Sequence, residues 1–437
     1  MLESYKIKAV EHIELVPLKE RVRALKGAFY NPYLLPANKV YIDLLSDSGT
    51  PALSNRQQAS LLEPDESFSF QNSYYEFVKA VESIFGFSYV YPIHQGRMGE
   101  HILFKIKVKK GDYIPSNTHY ATTKANIEHW GAKAVDFVIE EAYHPEVFHP
   151  FKGNIDIDRV SSFVREREKI PLAFLTITNN TCGDQPVSLE NIRQYKQTLS
   201  KRNIPLYYDA CRFAENAYFI KQREKKYSEY SIEQIVKKMF SCADGCILSA
   251  KKDGLSHIGG FFATRSAKLA NEFENLILLM EGYHTHGGLT GRDLKIITIG
   301  LSETLSEKYL EFRTGQIQYL WKKLNDAGIP LYSPAGGNAV FVDVSKFLPH
   351  LRGEEYPTVA LADELYRKGG IRAGGFQSEA LQLLRLSIPR RVYTNSHIDY
   401  VAEVLKEVYE HRENITGLEI VYRPPYLEHY TARFKKR

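Results

Sequence analysis

Short apolar runs alternate with helical stretches through the middle of the chain, and that alternation limits the fold more than any other feature. The runs fall around 134–139, 172–178, 206–209 and 246–249, with helical periodicity such as 188–199 between them. Strands this apolar belong in a sheet covered on both faces, and an intervening helix permits a parallel connection. The pattern therefore predicts an α/β fold with a mostly parallel sheet. Ligands of such sheets bind beyond the carboxyl ends of the strands. Asn180, Asp209 and the Lys251-Lys252 pair all stand just after predicted strands, so they share one edge.

At 437 residues the chain exceeds one comfortable core, so two domains sharing a cleft are expected. Residues 1–45 mix charge with Pro17, Pro32 and Pro36 and read as an arm that wraps another element or subunit and joins the small domain. Residues 46–310 form the large domain. Residues 311–437 form a smaller α+β domain, with strands at 339–344 and 384–388 and a helix from 396 to about 411; helical periodicity also runs from 289 to about 327 after Gly287-Gly288.

The balance of residues narrows the function classes. No apolar run reaches the length of a membrane span, and the N-terminus lacks the basic, apolar and small-residue order of a signal peptide, so a cytoplasmic protein without a membrane partner is expected. The formal charge of +5 is small and spread along the chain. The basic stretch 433–437 reads as a solvated tail, and no nucleic-acid partner is expected. Cys182, Cys211, Cys242 and Cys246 are too few and too irregular for a disulfide framework or a zinc site.

Two stretches carry chemistry. His94-Gln95-Gly96-Arg97 follows an apolar run and opens a helix, and such a turn presents amide donors at a positive helix end, a seat for phosphate. Ser249-Ala250-Lys251-Lys252-Asp253-Gly254 lies in a tight connection between two predicted strands. An amine held there and partly desolvated suits Schiff-base chemistry with an aldehyde cofactor, although a solvated lysine pair is the plain alternative. Spacing alone does not separate the two lysines.

Taken together, these stretches resemble the tryptophanase and tyrosine phenol-lyase family, the pyridoxal 5'-phosphate (PLP) dependent β-eliminating lyases. The resemblance covers nearly the whole chain and rests on Pro92-Ile93-His94-Gln95-Gly96-Arg97, Gln185-Pro186-Val187-Ser188, the run from Asp209 to Phe219, the lysine stretch, Gly287-Gly288 and Arg385-Leu386-Ser387-Ile388-Pro389-Arg390. It implies the type I fold of PLP enzymes, the aspartate aminotransferase-like architecture. Lys252 is then the cofactor lysine and the base, Asp209 the partner of the pyridine nitrogen, and Arg212 and Asn180 the contacts of the phenolic oxygen. Tyr120 stacks on the ring, Gln95, Gly96, Arg97 and Ser249 hold the phosphate, and His286 stands where a neighbouring subunit lends a tyrosine to it. Arg385 becomes the clamp for the substrate α-carboxylate, with Ser48, Phe68, His429 and Tyr430 around the substrate. Gly49, Glu66 and His257 mark a monovalent-cation site, potassium in the resemblance. The substrate is an L-amino acid, and a homo-oligomer arranged as a dimer of dimers is implied.

The departures lie on the leaving-group side. Phe68 replaces the tyrosine that protonates the departing ring, Ala121 replaces a polar residue after the stacking aromatic, and Asp184 replaces a glycine before Gln185. The segment 371–384 is shorter than in the relatives. Since general acid catalysis contributes roughly 10²- to 10⁴-fold, a natural substrate other than tryptophan or tyrosine is expected, with His429 a candidate replacement acid. β-Substitution, transamination and oxidation on the same cofactor, and a non-catalytic binding protein, are the alternatives.

Overall fold

The structure is a computed structural model that describes residues 3–63, 65–378 and 380–437. The chain divides into two compact units. One comprises Met1–Asp47, Tyr143–His149 and Phe312–Arg437, the other Ser48–Ala142 and Pro150–Glu311.

The unit holding the lysines is built on a five-stranded sheet in the order Tyr89–Ile93, Gly260–Thr264, Gly245–Ser249, Leu206–Asp209, Ala173–Thr176. Four strands point one way. Gly260–Thr264 runs against both neighbours, because the connection from Ala250 to Gly259 is shorter than the dozen or so residues a parallel crossover needs. Successive residues alternate between faces, and both faces are buried: Tyr208, Leu248 and Phe261 enter one apolar cluster while Tyr207, Ile247 and Phe262 enter another. The expected strand at 134–139 is shorter and lies elsewhere, as Lys133–Asp136 in a two-stranded parallel ladder with Tyr113–Ser116.

Strand direction sets the site. The strands ending at Ile93, Thr176, Asp209 and Ser249 all finish on one edge. The segments that follow them carry Gln95–Arg97, Asn180, Arg212 and Lys252.

The second unit has a four-stranded sheet, Ile42–Leu44, Ile371–Gln377, Gln382–Ser387 and Ala339–Asp343, parallel in its first pair and antiparallel in the others. Helices Pro357–Gly369 and Asn395–Glu410 pack their apolar faces into its core. The N-terminal stretch is part of this sheet through Ile42–Leu44, and it carries the helix Leu18–Gly27. In the segment 371–384, residue 379 lies outside the described residues; the rest is the hairpin Ile371–Gln377/Gln382–Ser387. The long helical stretch from 289 is two helices, Gly291–Glu303 and Glu307–Asp326. No helix of the described residues is long and apolar enough to cross a membrane, and all four cysteines are free.

Candidate active site

Helix Gly96–Lys107 begins with Gln95 at its N-cap, and no side chain caps that end. Gly96 lies against Ser249: a Cβ on it would stand 3.2 Å from the Ser249 Cβ and 3.5 Å from the Ser249 nitrogen. The Ser249 hydroxyl is buried with no hydrogen-bond partner. A buried hydroxyl without a partner costs free energy, and so does a helix start left unsatisfied. An anion seated between them satisfies both. The residues therefore fit a phosphate, the group that Gln95, Gly96, Arg97 and Ser249 were expected to hold.

The lysine loop is held by its own backbone and by the segment that follows Asp209. Ala250 N donates to Gly259 O at 2.9 Å, Ser256 N to Ala250 O at 3.1 Å, and Asp253 N to Cys211 O at 3.2 Å. Asp253 is buried, and its carboxylate accepts the amides of Ala214 and Glu215 at the start of helix Phe213–Arg223. Gly254 is required by this closeness, since a Cβ there would stand 2.5 Å from the Ala250 Cα. Burial, then the charges of Lys252 and Arg97, push the Lys251 ammonium below its ordinary range. Lys251 thus lies within the field of two further cations, Lys252 and Arg97.

Asp209 ends its strand and accepts the Cys211 amide at 3.3 Å. Burial foremost, and the Asp209 charge next, push the Cys211 thiol up to about 12, while its sulfur accepts the Ser249 amide at 3.4 Å. Cys211 is therefore a neutral spacer between the Asp209 and Ser249 strands. Arg212 is buried, with Nη1 3.8 Å from the Asp184 carboxylate. Asn180 follows Asn179, whose side-chain oxygen accepts the Thr118 hydroxyl at 2.6 Å. Tyr120 caps helix Ala121–His129 through its backbone.

Sequence reasoning missed Glu100. It lies one turn beyond Gly96, where i and i+4 share a helix face, and that spacing was the available signal. Its carboxyl is buried, accepts the Thr123 hydroxyl at 2.5 Å and the Asn126 amide at 3.5 Å, and is pushed up to about 7 by burial foremost and then by the Asp209 charge.

The remaining residues fall into separate groups. Gly49 N donates to Lys251 O at 2.8 Å, and a Cβ on Gly49 would meet His257 O at 2.9 Å, so these two of the three cation-site residues adjoin. His257 Nε2 pairs with Pro51 O at 2.9 Å, and Ser48 is half-buried beside them. Glu66 caps helix Gly291–Glu303 instead, accepting Gly291 N at 2.8 Å and Arg292 N at 3.3 Å. Among the described residues no group of three or more His, Cys, Asp or Glu could hold a metal ion. Phe68 is 81% exposed and stands 5.4 Å from the Tyr283 ring and 6.4 Å from that of His286, whose Nε2 pairs with Phe68 O.

In the other unit, Arg385 on strand Gln382–Ser387 donates to Leu45 O at 3.0 Å. Tyr33, which nothing in the sequence marked, stacks edge-on against both His429 and Tyr430, at 5.5 and 5.2 Å. Burial first, then the Arg385 charge, push the His429 imidazole down to about 4, so it is neutral near pH 7. Arg390, the last residue of the Arg385–Arg390 motif, is fully buried and paired with Asp47 at 2.7 Å. An unpaired buried guanidinium would be too costly.

The beta-eliminating lyase family model matches residues 43–404. The chain is 46% identical to a tryptophanase of Salinibacter ruber, over 100% of this chain and 96% of the relative. It is 42% identical to a tyrosine phenol-lyase of Pasteurella multocida, over 100% and 98%. Its fold matches that of a Sphingomonas wittichii serine palmitoyltransferase with a TM-score of 0.62 at 13% identity, covering 91% of this chain and 97% of that one.

Proposed function

The chain belongs to the β-eliminating lyase family, and from that premise we propose that it removes a group from the β-carbon of an L-amino acid other than tryptophan or tyrosine, releasing a 2-oxo acid and ammonium. The observation that carries this reading is the phosphate cradle: the buried, unpartnered Ser249 hydroxyl under the uncapped start of helix Gly96–Lys107, on the same sheet edge as Asp209 and Lys252.

The side chains then divide the work. Gln95, Gly96, Arg97 and Ser249 would bind the phosphate of PLP, and the Asp209 carboxylate would keep a proton on the pyridine nitrogen. Arg212 and Asn180 would bind the phenolic oxygen, and Tyr120 would cover the ring. When bound, PLP draws electron density from the substrate's α-carbon. Lys252 Nζ would hold the cofactor's aldehyde carbon and, as a free amine, would take the α-proton of the substrate. Arg385 grips the α-carboxylate through two parallel hydrogen bonds. Glu100, largely protonated below about pH 7, adds little charge against Asp209. His429 and Tyr430 border the substrate, and His429 can donate only as a neutral imidazole.

We extend the reading to a potassium ion beside Gly49 and His257, without Glu66, whose carboxylate is taken up at the start of helix Gly291–Glu303, and to a homotetramer arranged as a dimer of dimers. Support for the second is the exposed Phe68 ring, set against the half-buried Tyr283 and His286, which suits a role in a neighbouring subunit's site. Phe68 has no proton for a departing ring carbon, which argues for a leaving group that departs without one.

The test is a panel of L-amino acids with the PLP-loaded protein, assayed for pyruvate and ammonium. One amino acid should give both in equal amounts, and Lys252→Ala should give neither. A colour change on amino-acid addition without pyruvate would refute elimination and move the chemistry to β-substitution, transamination or oxidation.

A further inference from the structure

Asp184 is a buried carboxylate at a position that glycine would suit. Its φ is +56°, in the left-handed region where aspartate and asparagine are the side-chain-bearing residues best tolerated. The Thr178 hydroxyl donates to its Oδ1 at 2.9 Å, and the same oxygen lies 3.8 Å from Arg212 Nη1. Thr178 and Asp184 flank the turn that carries Asn180. The Asp184 carboxyl is therefore fixed, by its backbone and by a hydroxyl, 3.8 Å from the guanidinium of the active edge.

We infer that Asp184 is a positioning residue that acts through Arg212: its carboxylate offsets part of the guanidinium's charge, and so sets how strongly Arg212 favours the anionic form of the oxygen it contacts. The inference rests on the PLP reading above. A bare guanidinium beside the cofactor's phenolic oxygen pulls negative charge onto that oxygen and makes the neighbouring protonated nitrogen on Lys252 easier to deprotonate. A carboxylate behind the guanidinium weakens that pull. The proton on the Lys252 nitrogen is then retained to higher pH.

Other charged and titratable groups act on the same edge. Asp209 and Lys252 act on both Glu100 and Cys211, Arg97 and Lys252 act on Lys251, and Asp136 and Lys152 act on Cys182 in the Asp184 turn. These remain in place in a variant that removes only the Asp184 charge. The comparison therefore isolates that charge.

The experiment loads wild type and Asp184→Asn with PLP and follows the visible absorbance against pH. Asparagine keeps the shape, tolerates the left-handed backbone and loses the charge. The midpoint should fall by about one pH unit, a tenfold loss of proton affinity, which is the scale of one partly buried charge a side chain away. An unchanged or raised midpoint overturns the inference, and a variant that is merely less stable with the wild-type midpoint does so equally. Should the asparagine variant misfold by circular dichroism, Asp184→Gly, which suits φ +56°, replaces it and must show the same fall. If the wild type has no PLP absorbance that Lys252→Ala removes, the functional reading fails and takes this inference with it. A wild-type band with no shift in the variants refutes the role of Asp184 alone.

Discussion

Replacing Glu100 by glutamine should change how the stability of its unit depends on pH. The carboxyl is held up to about 7 from an ordinary 4.5, first by burial and then by the Asp209 charge, against the opposing hydrogen bonds from Thr123 and Asn126 and the Lys252 charge. Between those two values the folded protein keeps a proton that the unfolded chain releases. The stabilisation from keeping it is fully present below about 4.5 and is lost as the pH rises through about 7. That difference corresponds to about 3 kcal/mol. Glutamine is neutral at every pH and keeps an acceptor for the Thr123 hydroxyl. Glu100→Gln should therefore gain about 3 kcal/mol on wild type between acidic and mildly alkaline pH. Urea unfolding of the cofactor-free protein measures this, with Trp130 as the fluorescent reporter in a Trp321→Phe background, since Trp130 lies in the same unit as Glu100. Parallel stability curves for wild type and variant across that range would refute the buried-acid argument.

Three other perturbations follow from the geometry. On the reading proposed above, Phe68→Tyr supplies a hydroxyl for a departing ring, and turnover of tyrosine or tryptophan to pyruvate should rise at least about tenfold. Gly96→Ala puts a methyl 3.2 Å from the Ser249 Cβ, and equilibrium dialysis should show PLP binding weakened about tenfold or more, worth about 1.4 kcal/mol. Arg390→Ala strips the ion pair from the buried Asp47, and thermal unfolding should show a loss on the order of 3–5 kcal/mol in that unit.

The parts of the site legible in the sequence are those fixed by local chain chemistry. A glycine at a strand-to-helix turn marks the uncapped helix start at Gly96, and the lysine pair sits in a connection too short for anything but a tight loop. The apolar runs gave the strands, and a resemblance chose Lys252 over Lys251. What stayed hidden depends on contacts between distant residues. Tyr33 meets His429 and Tyr430 only after the chain has folded back on itself. Arg390 could be buried only because Asp47 was waiting for it, and no pattern around Arg390 reports that. Asp184 stood out as a departure from glycine, but its pairing with Arg212 is a matter of side-chain placement. The short segment Tyr143–His149 joins the unit built from the chain's two ends, and no shift of composition marks it.

The central claim is that Lys252, on this sheet edge, carries the cofactor. The most direct measurement is borohydride reduction of the PLP-loaded protein followed by peptide mapping. A pyridoxyl group on Lys252, with Lys251 unmodified, is the predicted result. Modification of Lys251 instead, or of neither lysine, would contradict the account.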